Sequence, residues 1–193
     1  IDFFTVHPQA YWEWFAQENA REGVAPNAAH RFVADLERAG KLSAVVTQNI
    51  DGLHQQAGSE RVLELHGNWS RLICTGCGEH FTLDDVDNAR SGEVPHCPVC
   101  ASVLRPDIVF YGEMLDSEVM EGAVRAISEA DLLIVAGTSL VVYPAAGLID
   151  YYTGERLVLM NATPTPYDSR ADLVIREPVG QVFEELGRRS RQP

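Results

Sequence analysis

All four cysteines of this 193-residue chain fall in two Cys-x-x-Cys pairs, Cys74/Cys77 and Cys97/Cys100, with 19 residues between the pairs. Each pair can present two thiolates from one tight turn, and two such turns complete a tetrahedron around Zn²⁺. Gly76, Gly78 and Pro98 supply turn chemistry at the knuckles. The alternatives are two disulfides or free buried thiols. The opening Ile1-Asp2-Phe3-Phe4 has no basic region and no signal-like apolar core, so disulfides are not expected. Four cysteine ligands leave no open coordination position, so the expected metal is structural. His80 and His96 flank the pairs and are not needed as ligands. The segment 71–104 is therefore predicted to be a small zinc-ribbon-like lobe, inserted into a larger domain formed by residues 1–70 and 105–193.

In the larger domain, apolar runs alternate with helical patterns. A helix is predicted over 7–22, where Tyr11, Trp12, Trp14 and Phe15 form a bulky cluster expected to pack as core. A break at 23–26 follows. Asn27 then caps a helix with Ala29, Phe32, Val33 and Leu36 at helical spacing, ended by Gly40. His30, in its first turn, reads as a packed structural histidine. Strands are predicted at 42–47, 61–65, 132–136, 156–160 and 173–175. Residues 52–58 read as a short helix or loop, and 105–112 as a return to the main sheet. Further helices are expected after Asp116 or Ser117, over 144–152 and over 180–187. Continuous apolar strands alternating with helices argue for an α/β fold, a Rossmann-like parallel sheet with helices on both faces.

The strands end in chemistry. Val45-Val46 runs into Thr47, Gln48, Asn49 and Asp51; Leu63-Glu64-Leu65 delivers His66 and then Gly67. A strand at 132–136 stops at Gly137-Thr138-Ser139, and one at 156–160 at Asn161. The carboxyl edge of an open α/β sheet is where ligands bind. Amides and a carboxylate suit ribose hydroxyls and a carboxamide, while an imidazole suits general-base work. His54 has a structural role at least as readily as a place in the pocket.

Taken in order, these motifs resemble the sirtuins, the NAD-dependent protein-lysine deacylases. The resemblance rests on TQNIDGLH and ELHG, the two cysteine pairs, RPDIVFYGE (105–113), GTSL (137–140) and Asn161, and it covers nearly the whole chain. It implies NAD as cofactor and a structural Zn²⁺ on Cys74, Cys77, Cys97 and Cys100. It implies His66 as the catalytic base with Asn49 and Asp51 beside it. Gln48, Asn49, Ile50, Asp51, Gly137, Thr138, Ser139, Asn161, Ala162, Thr163 and Val179 would bind the cofactor. Val109, Phe110, Tyr111, Gly112 and Glu113 would bind an acyl-lysine protein or peptide, added as a strand. In the implied reaction the acyl oxygen displaces nicotinamide, and His66 activates a ribose hydroxyl. The products are lysine, nicotinamide and O-acyl-ADP-ribose.

Two departures bear on that expectation. Sirtuins resembling this chain begin with a Gly-Ala-Gly-type segment after a first strand, and Ile1 enters the pattern beyond it. Without a glycine-rich turn for the pyrophosphate, weaker NAD affinity and an unpaired sheet edge are expected. In sirtuins that prefer acidic acyl groups, a Tyr and an Arg three residues later follow a Trp-Glu-aromatic sequence. Here Phe15 and Glu18 stand at those positions, and a carboxylate there repels a succinyl group. Neutral acyl groups, acetyl first, are the expected substrates. Two other classes stay open: a non-catalytic zinc-stabilised interaction module, and a mono-ADP-ribosyltransferase.

Composition narrows the partners. Formal net charge is −13, with no basic cluster beyond the Arg188-Arg189-Ser190-Arg191 tail, so direct nucleic-acid binding is not expected. No apolar run approaches the ~20 residues of a membrane span, and a cytoplasmic location is expected. An acidic surface favours encounter with lysine-rich proteins. Oligomeric state is not legible.

Overall fold

The computed structural model describes residues 1–19 and 24–190, with the side chain of Asn19 excepted. In chain order the elements are α1 (Asp2–Val6), α2 (Pro8–Asn19), α3 (Ala28–Arg38), β1 (Val45–Thr47), α4 (Leu53–Gln56), β2 (Val62–Glu64), β3 (Gly67–Cys74), β4 (His80–Thr82), β5 (Leu104–Ile108), α5 (Ser117–Ser128), β6 (Leu133–Ala136), β7 (Leu157–Met160), β8 (Leu173–Ile175) and α6 (Val179–Arg189). Short 3-10 helices cover Ala145–Tyr151 and Asp168–Arg170. The chain forms two compact units. The first takes Ile1–Ala25, Asn49–Gly52 and His66–Leu115; the second takes Pro26–Gln48, Leu53–Leu65 and Asp116–Pro193.

The first unit is built on an antiparallel sheet in the order β4-β3-β5. Its core joins the aromatic residues of α1 and α2 to that sheet. Trp12, Phe15, Leu72 and Leu104 are essentially inaccessible, and Phe4, Tyr11, Cys74 and Cys97 share the same cluster. Phe15 meets Trp12 edge-on at 4.8 Å and Trp69 at 6.4 Å. Edge-to-face pairs of this kind add to area burial. Trp14 is the exception in the predicted cluster: half of it is exposed, because it lies off the buried face of α2 that Tyr11, Trp12 and Phe15 occupy. The helix predicted from residue 7 is α2, which starts at Pro8; α1, ahead of His7, was not predicted. Its predicted end at Glu22 and the break at Gly23 lie outside the described residues.

The second unit carries the parallel strands, as β1-β2 and β6-β7-β8. Asn27 caps α3 by accepting from Ala29 N and His30 N, while His30 Nδ1 accepts from Asn27 N at 3.2 Å, closing a capping box. That accounts for His30 as a structural histidine. Gly40, at φ +66°, ends the helix, and Lys41 N returns to Leu36 O. Asp116 rather than Ser117 caps α5, accepting from Glu118 N and Val119 N. Phe32 of α3 packs on Phe183 of α6 at 5.5 Å.

Four expectations are corrected. Residues 105–112 do not return to the parallel strands. They hold β5, which pairs antiparallel with β3 in a ladder running from Gly67↔Ile108 to Cys74↔Leu104. The parallel strands form two sheets among the described residues, not one. The segment at 144–152 is a 3-10 helix instead of an α-helix. β6 was expected to be buried throughout, yet its burial alternates and Ile134 is 37% exposed. It has β7 as its strand partner among the described residues.

Candidate active site and metal centre

In the second unit, strand ends gather polar groups. β1 ends at Thr47 and Gln48 follows; the Gln48 amide nitrogen donates to Thr138 Oγ1 at 3.4 Å. Thr138 stands just past the end of β6, so the carboxyl ends of β1 and β6 are adjacent. Gly137 N donates to Met160 O, joining the ends of β6 and β7, and Asn161 N donates to Ile175 O, joining β7 to β8. Gly137 has φ +67° and nothing within 4 Å of where a Cβ would sit, which leaves its backbone approachable from one side. Asn161 Nδ2 donates to Thr163 O at 2.9 Å and Oγ1 at 3.2 Å. Arg176 donates to the carbonyls of Asn161 and Thr163 and pairs with Asp168. Ala162 and Thr163 are exposed on that loop, and Val179 opens α6. Arg176 and Asp168 were not singled out from sequence; an Arg after a short apolar strand carries no local signal of which carbonyls it will hold.

In the first unit, Asn49, Ile50 and Asp51 form the turn after Gln48, and His66 leads into β3. Two contacts lock the turn to the histidine strand. Trp69 N donates to Ile50 O at 3.1 Å, and at Gly52, φ +68°, a Cβ would lie 3.2 Å from Asn68 Nδ2, so the turn packs closely beside that side chain. Asn68 is itself buried, and its Oδ1 accepts from Ser70 N at 2.9 Å and Ser70 Oγ at 2.7 Å beside a register shift in β3. Asn68 was missed in the sequence; its signal was a polar residue directly after a glycine at a strand start. Gly67 has φ +76°, and a Cβ there would lie 2.1 Å from Asp107 O, so only glycine lets β3 and β5 approach right after His66. His66 O accepts from Val109 N at 3.0 Å, which ties the histidine backbone to the segment 109–113. Along that segment Phe110 turns inward against Phe4 and Tyr11, while Tyr111 is 96% exposed.

The four cysteines also lie in the first unit. Cys74 Sγ is 3.4 Å from Cys100 Sγ, Cys77 Sγ is 3.7 Å from Cys97 Sγ, and all four sulfurs fall within 4.8 Å of one another. A tetrahedron with Zn–S bonds of about 2.3 Å has sulfurs about 3.8 Å apart, so the cluster fits a tetrathiolate zinc site. Gly76 N and Cys77 N donate to Cys74 Sγ, and Val99 N to Cys97 Sγ. Such outer donors stabilise thiolate charge. Hydrogen bonds from the Ser102 hydroxyl and amide bring the Cys100 thiol down to about 6. No disulfide joins the four.

Residues 1–144 match the Sir2 family. The chain belongs to the Sir2 family. A protein described as an NAD-dependent protein deacetylase from Clostridium acetobutylicum is 49% identical over 184 residues, which are 95% of this chain and 75% of that protein. One of the same description from Thermotoga maritima is 44% identical over 182 residues, 90% of this chain and 72% of that protein. Among solved structures, Sir2 bound to acetylated peptide superposes with a TM-score of 0.89 at 42% identity, covering 98% of this chain and 82% of that one. A Sir2–p53 peptide–NAD+ complex gives 0.85 at 41%, covering 98% and 81%. The zinc-binding cysteines and the mixed α/β fold of this Sir2 chain stand in the family frame that the sequence motifs pointed to.

Proposed function

We propose that the chain catalyses NAD-dependent removal of acetyl or other neutral acyl groups from protein lysines, releasing nicotinamide and O-acyl-ADP-ribose. The observation that carries this reading is the lock between the Asn49–Gly52 turn and the His66 strand, made by Trp69 N on Ile50 O and by Asn68 under Gly52. It holds the backbone of the Asn49–Gly52 turn against the strand that His66 leads into, which supports a shared role for Asn49, Asp51 and His66. Relatives described as NAD-dependent protein deacetylases, and related structures holding acetylated and propionylated peptides, support the same reaction.

NAD when bound supplies an electrophilic ribose carbon and a nicotinamide leaving group. In the second unit Gln48, Thr138, Ser139 and Asn161 offer amides and hydroxyls that suit ribose, and Gly137 offers open backbone that suits phosphate. Ala162, Thr163 and Val179 would complete the cofactor-binding set. In the first unit Asn49, Ile50 and Asp51 would orient the carboxamide and ribose, and the His66 imidazole would take the proton of a hydroxyl. Val109, Phe110, Tyr111 and Gly112 would receive the acyl-lysine peptide as an added strand. We read 71–104 as an inserted structural lobe and the rest, 1–70 and 105–193, as the NAD-binding part. No described helix is long and apolar enough to cross a membrane. With four cysteines grouped for metal, we place the protein in the cytoplasm.

Nicotinamide release with and without an acetyl-lysine peptide tests the reading. Release that depends on the peptide is expected, and His66→Ala should lower deacylation of the peptide by ~10²–10⁴-fold at saturating NAD. Peptide-independent release would point to ADP-ribosyl transfer, and no release to a non-catalytic module.

A further inference from the structure

Residues 109–113 follow β5 and contain the stretch assigned above to the acyl-peptide. Their shape depends on one ion pair. Arg105, on β5, donates from Nη1 to Glu113 Oε1 at 2.6 Å and from Nη2 to Glu113 Oε2 at 2.7 Å, a bidentate fork. The same Nη2 donates to Ile108 O at 2.7 Å. Glu113 Oε2 also accepts from Phe110 N at 2.8 Å, while Glu113 N donates to Phe110 O at 3.0 Å. The guanidinium lies 4.6 Å from the centre of the Phe110 ring. Only 16% of the Arg105 side chain and 25% of the Glu113 side chain are exposed.

Both carboxylate oxygens of Glu113 are thus engaged by its own chain. Hydrogen bonds from Arg105 hold its carboxyl below the usual range, which keeps it ionised. A bidentate, partly desolvated pair is among the stronger and more directional contacts a side chain makes. It closes the loop from both sides: Arg105 grips the carbonyl where β5 ends, and Glu113 grips the amide of Phe110. Phe110 is thereby pinned against Phe4 and Tyr11, and Tyr111 is turned out.

We propose that Arg105 and Glu113 are positioning residues that set peptide affinity by holding residues 109–112 as a preformed edge, and that Glu113 does not itself contact the peptide. The inference rests on the acyl-peptide reading above.

The test is steady-state kinetics of the intact chain, with acetyl-lysine peptide and NAD varied in turn, for wild type, R105A, E113A, R105A/E113A and E113Q. R105A and E113A should each raise the peptide KM about tenfold, modest beside what a misplaced site can cost. Changes in kcat and in the NAD KM should stay within about twofold. The double variant should be no worse than the worse single, because both remove one clamp. E113Q, which keeps an acceptor for Phe110 N, should lose less than E113A; if E113A does not fold, E113Q against R105A carries the comparison. Folded variants with unchanged peptide KM overturn the proposal. Losses that add in the double variant also overturn it, and give Glu113 a contact of its own with peptide. A wild type whose nicotinamide release ignores the peptide refutes the deacylase reading and this inference with it. An active wild type with indifferent variants refutes the clamp alone.

Discussion

Gly67→Ala is the substitution whose cost the structure lets one work out most directly. At φ +76° an L residue pays roughly 1–2 kcal/mol for the left-handed conformation. The added Cβ would also sit 2.1 Å from Asp107 O, 2.9 Å from Asp107 C and 3.0 Å from Ile108 Cα, all backbone atoms of the paired strand. Carbon and oxygen approach no closer than about 3.3 Å in ordinary contacts, so β3 and β5 must part by about 1 Å. That would break the Val109 N to His66 O bond and the Gly67↔Ile108 pairing, at about 1 kcal/mol for each lost hydrogen bond. The sum is roughly 3–4 kcal/mol, a large share of the ~5–15 kcal/mol that holds a domain folded.

Urea unfolding followed by tryptophan fluorescence suits the measurement, because Trp12, Trp14 and Trp69 all lie in the first unit. With m of ~1–3 kcal/mol/M, the midpoint should fall by about 1–4 M. Gly92→Ala is the control. Gly92 lies in the same unit at φ +87°, but its nearest neighbours to a Cβ, Ala16 Cβ and Glu13 Cα, are 3.6 Å away. It should show the conformational cost alone. If Gly67→Ala destabilises no more than Gly92→Ala, the steric reasoning is wrong.

Two further outcomes are expected. Fresh protein should carry one zinc per chain by elemental analysis, and Cys97→Ala should lose it and unfold the first unit, since Cys97 lies inside that unit's core cluster; a metal-free protein that melts like wild type would contradict this. Deacetylation should exceed desuccinylation in kcat/KM on matched peptides, because Phe15 and Glu18 offer a succinyl group no cation; the reverse order would show that this stretch of α2 does not select the acyl group.

The strand ends and the metal were legible in the sequence because each is written locally. Val45-Val46-Thr47 and Leu133–Ala136 are short apolar runs that stop at polar or small residues, and the cysteine spacing names its own geometry. Asn27, Asp116 and Gly40 likewise announce helix ends through side-chain and backbone chemistry within a few residues. What escaped was set by distant partners. β3 alternates burial irregularly through a register shift, so no clean period marked it as a strand. β5 reads Leu-Arg-Pro-Asp-Ile, and nothing in it says which sheet it joins until Gly67 is seen to allow the close approach. The Arg105–Glu113 fork spans a loop whose closure the sequence does not show. Asn68 and Arg176 hold loops through backbone carbonyls and bulges that appear only in three dimensions.

The first unit is assembled from three separate stretches of chain, and this shapes how it is made. The rings of α1 and α2 find their partners, Phe110, Leu72 and Leu104, only after the far stretch has been synthesised. At ~5–20 residues per second, Tyr11, Trp12 and Phe15 wait several seconds on a ribosome with an unfilled apolar face. Closing so long a loop also delays folding once the chain is complete. The aromatic helix therefore needs shielding during synthesis, and the zinc knuckles, whose ligands are close in sequence, can organise early and give it a surface to land on.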